Sequence, residues 1–191
     1  MEKYQGVKFK THFISNEIPK YASSHALVKW CHVFSYSGFC PEVEGGSAGN
    51  LSVRTKNGCI ISASHTDLSK MTINDLVEVV SYDEKKNEIS ARGIKEPSSE
   101  TFLHVMIYER RNDINAIFHG HYLDLPNLPE TPEEHPYGTL ELAYAVAGLA
   151  ESNDLILAKN HGFFSLGKTT DQAGNRILDA IKDKGDETHE P

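Results

Sequence analysis

The segment that most restricts how this chain can fold is Ile114-Asn115-Ala116-Ile117-Phe118-His119-Gly120-His121. Ile114 to Phe118 are short, mostly apolar residues ahead of a glycine, the mark of a buried strand. Side chains alternate across a strand, so His119 and His121 emerge on the same face, one two-residue step apart. Two imidazoles held in this way form a preset half of a metal site. A third stands in Asn160-His161-Gly162, about 40 residues further on and after another apolar run.

Around that strand the pattern reads as mixed helices and hairpin strands. A helix from Ser23 or Ser24, either of which can cap it, to about Ser37 sets Leu27, Trp30, Cys31 and Phe34 in one apolar stripe. Gly38 ends it in the left-handed conformation. After a polar loop, Pro41 to Ala48, comes a strand Leu51–Thr55. Asn57-Gly58 then turns the chain back through Cys59, Ile60 and Ile61. Thr72 and Asp75 suit a short capped turn before strands at Leu76–Tyr82 and Glu88–Ala91. Pro97-Ser98-Ser99 opens a helix to about Arg111, with Leu103, Met106, Ile107 and Arg110 on one face. Glu100 falls in its first turn, near the positive end of the helix dipole.

Tyr122 to Pro136 holds four of the eight prolines, and a loop that long is usually a lid, a binding loop or disordered. A helix from Thr139 to about Ser152 buries Leu142, Val146 and Leu149. Strands Leu155–Ala158 and Phe163–Leu166 bracket His161. The last helix begins near Thr170 and uses Ala173, Ile177 and Ile181, followed by a polar tail, Lys184 to Pro191. The expectation is one domain over residues 1–191, its core about 20–183, of α/β class with a largely antiparallel sheet covered by helices. No Gly-x-Gly-x-x-Gly follows a strand, which disfavours a dinucleotide fold.

Composition narrows the function classes. At 191 residues, 39% apolar and 24% charged, the chain has the make-up of a soluble globular domain. A formal charge of −8 leaves no basic face for phosphates of nucleic acid, and an acidic surface is repelled by anionic lipid. Met1 to Ile14 carries Lys3, Lys8 and Lys10 but no apolar core, so no secretory signal is expected there. Nothing approaches the ~18 apolar residues of a membrane span. Cys31, Cys40 and Cys59 are odd in number and lack CxxC spacing, which favours free thiols in a reducing cytoplasm.

Histidines at ligand spacing are the chemical signal. His119, His121 and His161 make a three-nitrogen site with an open fourth position, the form of a catalytic metal centre. His25, His32, His104 and His189 have no partner at such spacing, and His135 lies in the proline loop within reach of the site. Gly46-Ser47-Ala48-Gly49-Asn50 and Pro97-Ser98-Ser99-Glu100 offer backbone N–H groups and hydroxyls, the equipment of an anion site. Ser62-Ala63-Ser64 stands at a strand end where it can complete one.

Taken together, Gly49-Asn50-Leu51-Ser52-Val53-Arg54, Ile61-Ser62-Ala63-Ser64, Pro97-Ser98-Ser99-Glu100-Thr101-x-x-His104, His119-Gly120-His121 and Asn160-His161-Gly162 resemble the class II aldolase/adducin family in order and spacing. The resemblance spans about Ser24 to Ala180. It implies a three-layer α/β/α fold with a mainly antiparallel central sheet, and a homotetramer with sites at subunit interfaces. It also implies His119, His121 and His161 as ligands of one Zn2+ or another divalent metal. Glu100 is then the acid/base, and Gly49, Asn50, Ser64, Ser98 and Ser99 hold a phosphate.

The activity so implied is zinc-dependent aldol cleavage of a small ketose phosphate to dihydroxyacetone phosphate and an aldehyde. Zinc would stabilise the enediolate, and Glu100 would take and return the proton beside the carbonyl. Alternatives within the family are a dehydratase, like that acting on methylthioribulose 1-phosphate, an epimerase, and a non-catalytic adducin-like module. The epimerase branch has Asp where this chain has Glu100, and a binding module has no need of the histidines and Glu100. Two features depart from the family. His65 stands where glycine is common, and the short proline-rich segment after His121 offers only Tyr122 and Tyr137, by position, as proton donors to a leaving aldehyde.

Overall fold

The computed structural model describes residues 6–125 and 127–187. Pro126 of the proline loop, His189 and the end of the tail lie outside the described residues, as does the start of the segment tested for a signal. Among the described residues, ten strands and four α-helices follow one another. They are β1 (Lys10–Ser15), α1 (Ser24–Tyr36), β2 (Glu42–Val43), β3 (Gly46–Ser47), β4 (Asn50–Arg54), β5 (Cys59–Ser62), β6 (Leu76–Asp83) and β7 (Glu88–Arg92). Then come α2 (Thr101–Arg110), β8 (Ala116–Gly120), α3 (Leu140–Ala150), β9 (Leu155–Ala158), β10 (Gly162–Gly167) and α4 (Thr170–Glu187).

Eight strands form one sheet in the order β1-β7-β6-β5-β4-β8-β10-β9, and every neighbouring pair is antiparallel except β1 with β7. Alternation then decides which residues meet which layer of helices. Leu51, Val53, Ala116 and Phe118 pack with Leu27, Trp30 and Phe34 of α1 and Ile177 of α4 on one face. Ile61, Val77, Ile117 and Phe164 pack with Leu103 and Met106 of α2 and Val146 of α3 on the other. The result is the expected three-layer arrangement. Because β8 lies between β4 and β10, its residues Ile117 to His119 are wholly buried. His119 falls in phase with Ile117 and therefore faces the α2–α3 layer.

The same alternation builds a polar seam between β4 and α2. Asn50 Nδ2 donates to Glu100 Oε2 at 2.7 Å. Ser52 Oγ lies 2.7 Å from His104 Nδ1 and 2.8 Å from the Tyr108 hydroxyl. Arg54 donates from Nη2 to the carbonyls of Tyr108 and Arg111 and from Nε to that of Ile114, capping the C-terminal end of α2.

Several expectations need correction. β1 is a strand the sequence did not announce, because as a sheet edge it is largely exposed and carries no apolar alternation. The loop expected over Pro41 to Ala48 contains the small β2–β3 hairpin. Ser23 occupies the N-cap of α1 without a side-chain cap; the Ser24 hydroxyl instead accepts from Tyr21 N–H. Thr101, not a serine, begins α2, so Glu100 is its N-cap residue. α2 is buried on all sides from Thr101 to Tyr108, whereas Arg110 is exposed. α4 continues to Glu187, past the point where the tail was expected to begin. Gly38 does end α1 in the left-handed conformation, and Thr72 and Asp75 form a reciprocal capping box.

Candidate metal centre

β8 and the β9–β10 turn are adjacent in space, since Phe164 of β10 pairs with His119. That pairing brings His161, on the turn, to the histidines of β8. The turn closes because Asn160 takes a positive φ of 55° and His161 N–H reaches Ala158 O at 3.0 Å. One potential ligand atom from each of His119, His121 and His161 lies within 4.8 Å of the others. Gly162 is required by this approach, because a Cβ there would fall 2.3 Å from Gly120 O and 3.0 Å from His119 Cε1.

Glu100 joins the same cluster. Its Oε1 is 2.8 Å from His161 Nε2 and its Oε2 is 3.2 Å from His119 Nε2. The His119 ring lies nearly parallel to both His161 and Phe164, with centroids 4.9 and 4.2 Å away and planes within 10°. Its Nδ1 donates to Phe163 O at 2.8 Å, which fixes the tautomer and leaves a lone pair on Nε2. That Nε2 is buried and makes no hydrogen bond, although a carboxylate oxygen stands 3.2 Å away. Two acceptors face each other there, an arrangement relieved by a cation between them. Three imidazole nitrogens beside a carboxylate fit a divalent ion of the zinc type.

The electrostatics agree with neutral ligands. Burial pushes the pKa of His119 down to about 4 and that of His121 to about 3. Burial alone would raise the pKa of Glu100. The imidazoles of His119 and His161, with the hydrogen bond from His161, nevertheless hold it well below the usual carboxylate range. His119 and His121 are thus set out as neutral nitrogens beside an ionised oxygen donor.

The residues expected to hold a phosphate cluster beside this centre, although several of their groups are already engaged. Ser98 N–H donates to Ser62 O, Ser64 N–H to Glu96 O, and Glu100 N–H to Ser98 Oγ. Ser99 is buried at the N-terminal side of α2, against Gly138 at the end of the proline loop. Gly49, at φ 91°, lets the chain pass His119 O, which a Cβ would meet at 2.7 Å. Asn50 lies at the cluster, but its amide holds Glu100 and its Oδ1 has no hydrogen-bond partner. His65 occupies the left-handed region at φ 52°, a conformation for which glycine is suited, and its imidazole lies under the Gly45 turn.

The sequence places Ser52 and His104 within the family-like blocks but assigns neither a role, and it does not single out Tyr108 or Phe164. The available signal was the spacing of Glu100, His104 and Tyr108, one helical turn apart, against alternate residues of β4. The proline loop is anchored in part of its length: Thr131 N–H donates to Leu157 O, Leu157 N–H to Pro129 O, and Asn160 Nδ2 to Glu134. Tyr137 is buried against the Lys8 segment, and Tyr122 packs on Phe39.

Comparison with known proteins places this geometry in context. Residues 25–126 match the family model described as Class II Aldolase and Adducin N-terminal domain. An L-fuculose phosphate aldolase of Methanocaldococcus jannaschii is 34% identical over 143 residues, covering 64% of this chain and 74% of the relative. A methylthioribulose-1-phosphate dehydratase of Yersinia enterocolitica is 26% identical over 186 residues, covering 80% of this chain and 84% of the relative. A solved structure of an L-fuculose 1-phosphate aldolase superposes with a TM-score of 0.68 at 23% identity, over 91% of each chain. The last likeness speaks for the fold alone.

Proposed function

This chain belongs to the class II aldolase and adducin family, and we propose that it is a metal-dependent lyase that cleaves a small ketose phosphate to dihydroxyacetone phosphate and an aldehyde. The observation that carries the reading is the placement of Glu100, a buried carboxylate in contact with two of three clustered imidazoles. His119, His121 and His161 would hold one divalent ion, zinc by the character of the donors. That ion would supply Lewis-acid polarisation of the substrate carbonyl.

The remaining work falls to the chain. Asn50 orients the Glu100 carboxylate through Oε2, and that carboxylate takes the proton beside the carbonyl and returns it. Phe163 O and the neighbouring rings keep His119 in one orientation. Gly49, Ser64, Ser98 and Ser99 surround the substrate's phosphate, where the N-terminal end of α2 favours negative charge. Binding at that remote group fixes the reacting carbons in register. The working form on this reading is a homotetramer with its sites at subunit interfaces, in the cytoplasm, without nucleic-acid or membrane partners. A net charge of −8 supports the last point, and no helix among the described residues is long and apolar enough to cross a membrane.

The similarity to a dehydratase favours a second reading in which the same groups eliminate water. Product analysis on a panel of ketose 1-phosphates separates the two. Dihydroxyacetone phosphate supports cleavage, a dehydrated product with every carbon retained rejects it in favour of elimination, and no turnover by zinc-loaded protein rejects both.

A further inference from the structure

A cavity of ≈ 520 Å³ opens at the far end of β4 and α2 from the histidines. The β4–β5 turn, the middle of β6 and the last turns of α2 enclose it, with Arg54, Lys56, Val80, Tyr82, Glu109 and Asn112 in its walls. The opening has a structural origin. The register of β6 with β7 shifts between Val79 and Ser81, and this irregularity leaves Val80 out of step at the cavity wall.

The charges around it are unbalanced. Arg54 uses Nε and Nη2 on backbone carbonyls, while Nη1 makes no hydrogen bond and no carboxylate pairs with the guanidinium among the described residues. Lys56 likewise has no ion pair among the described residues. The carboxylate in the wall, Glu109, accepts the hydroxyl of Tyr82 and keeps its negative charge. Two cations without a carboxylate partner, Lys56 and Arg54 (the latter stacked over the Tyr108 ring), therefore outnumber the one carboxylate in a cavity that also offers an aromatic ring and a valine.

We propose that this cavity binds a small organic phosphate monoester. The phosphate lies between Arg54 Nη1 and Lys56, and a compact apolar body rests on Val80 and Tyr82. The two cations leave the wall with a net positive charge despite Glu109, which attracts an anion, and guanidinium is well shaped for phosphate oxygens. Glu109 lies nine positions along α2 from Glu100, about 13 Å of helix, so one small molecule does not reach both places. The site is thus distinct from the metal centre, and its existence does not depend on which reaction occurs there.

Calorimetric titration of phenyl phosphate into metal-loaded protein tests the proposal, using Lys56→Glu and Asn112→Asp. Both residues are exposed, so the core is untouched, and matching unfolding midpoints verify this. The expected result is a binding event weakened about tenfold in each variant, equivalent to ~1.4 kcal/mol, with metal content unchanged. Equal binding by wild type and both variants, as for phenyl phosphate held only at the metal centre, overturns it. So does the absence of binding to wild type.

Discussion

His104 provides a quantitative test of how the interior of this protein is built. Its ring is fully buried against Ser52, its Nε2 has no partner, and burial lowers its pKa from 6.5 to about 4. The folded state therefore keeps the neutral ring over a range in which the unfolded chain takes up a proton. Stability from this group is complete above pH 6.5 and is lost as pH falls toward 4. With one pKa unit worth 1.36 kcal/mol, the loss is ~2 kcal/mol by pH 5 and ~3 kcal/mol by pH 4. His104→Asn keeps an acceptor near Ser52 and does not titrate. Urea unfolding of metal-free protein, followed by the single tryptophan, Trp30, should show wild type losing ~2 kcal/mol more than the variant between pH 8 and pH 5. His119 and His121 titrate in both proteins and cancel in the difference. Parallel pH curves would refute the assignment of a buried, neutral His104.

Three further outcomes are expected at the metal centre. Glu100→Gln should retain zinc by elemental analysis yet lose turnover by about 10²–10⁴-fold, and unchanged turnover would remove Glu100 from proton transfer. Gly162→Ala places a methyl 2.3 Å from Gly120 O; the β9–β10 turn must shift, so zinc affinity should fall at least about tenfold, and wild-type affinity would count against the close packing described. Chelation should lower the thermal midpoint, because free zinc at about a hundredfold over its dissociation constant adds about 2.7 kcal/mol to the fold. A melting curve indifferent to zinc would argue that the histidines hold no metal in the native state.

The parts of this molecule that were legible in its sequence are those with local causes. The helix of Leu27, Trp30 and Phe34, the Asn57-Gly58 hairpin and the pairing of His119 with His121 on one face each follow from spacing along a few residues. The meeting of His161 with β8 does not: it depends on β10 choosing β8 as its neighbour, a long-range pairing that periodicity cannot specify. β1 was missed for the opposite reason, since an exposed edge strand has no buried face to pattern it. His104 has no metal-ligand spacing to mark it; its position depends on Ser52, whose alternation with Leu51 and Val53 places it on the opposite face of β4. Asn50 resembled a phosphate contact, and only the folded chain reveals that its amide is turned to Glu100.

The seam between β4 and α2 behaves as a vernier. Two residues along a strand advance about 6.6 Å, and four along a helix about 6.0 Å. Asn50 and Glu100 start in step, Ser52 and His104 are then offset by ~0.6 Å, and Arg54 and Tyr108 by ~1.2 Å. Side-chain reach follows that drift: short Asn and Ser serve the early marks, and long Arg serves the last. A fourth mark would be nearly 2 Å out, and there both elements stop, β4 at Arg54 and α2 at Arg110. This strand and helix are therefore not free to change length. One residue added within β4 would turn the later marks to the wrong face of the sheet, and one added within α2 would rotate them away from it by a quarter turn or more.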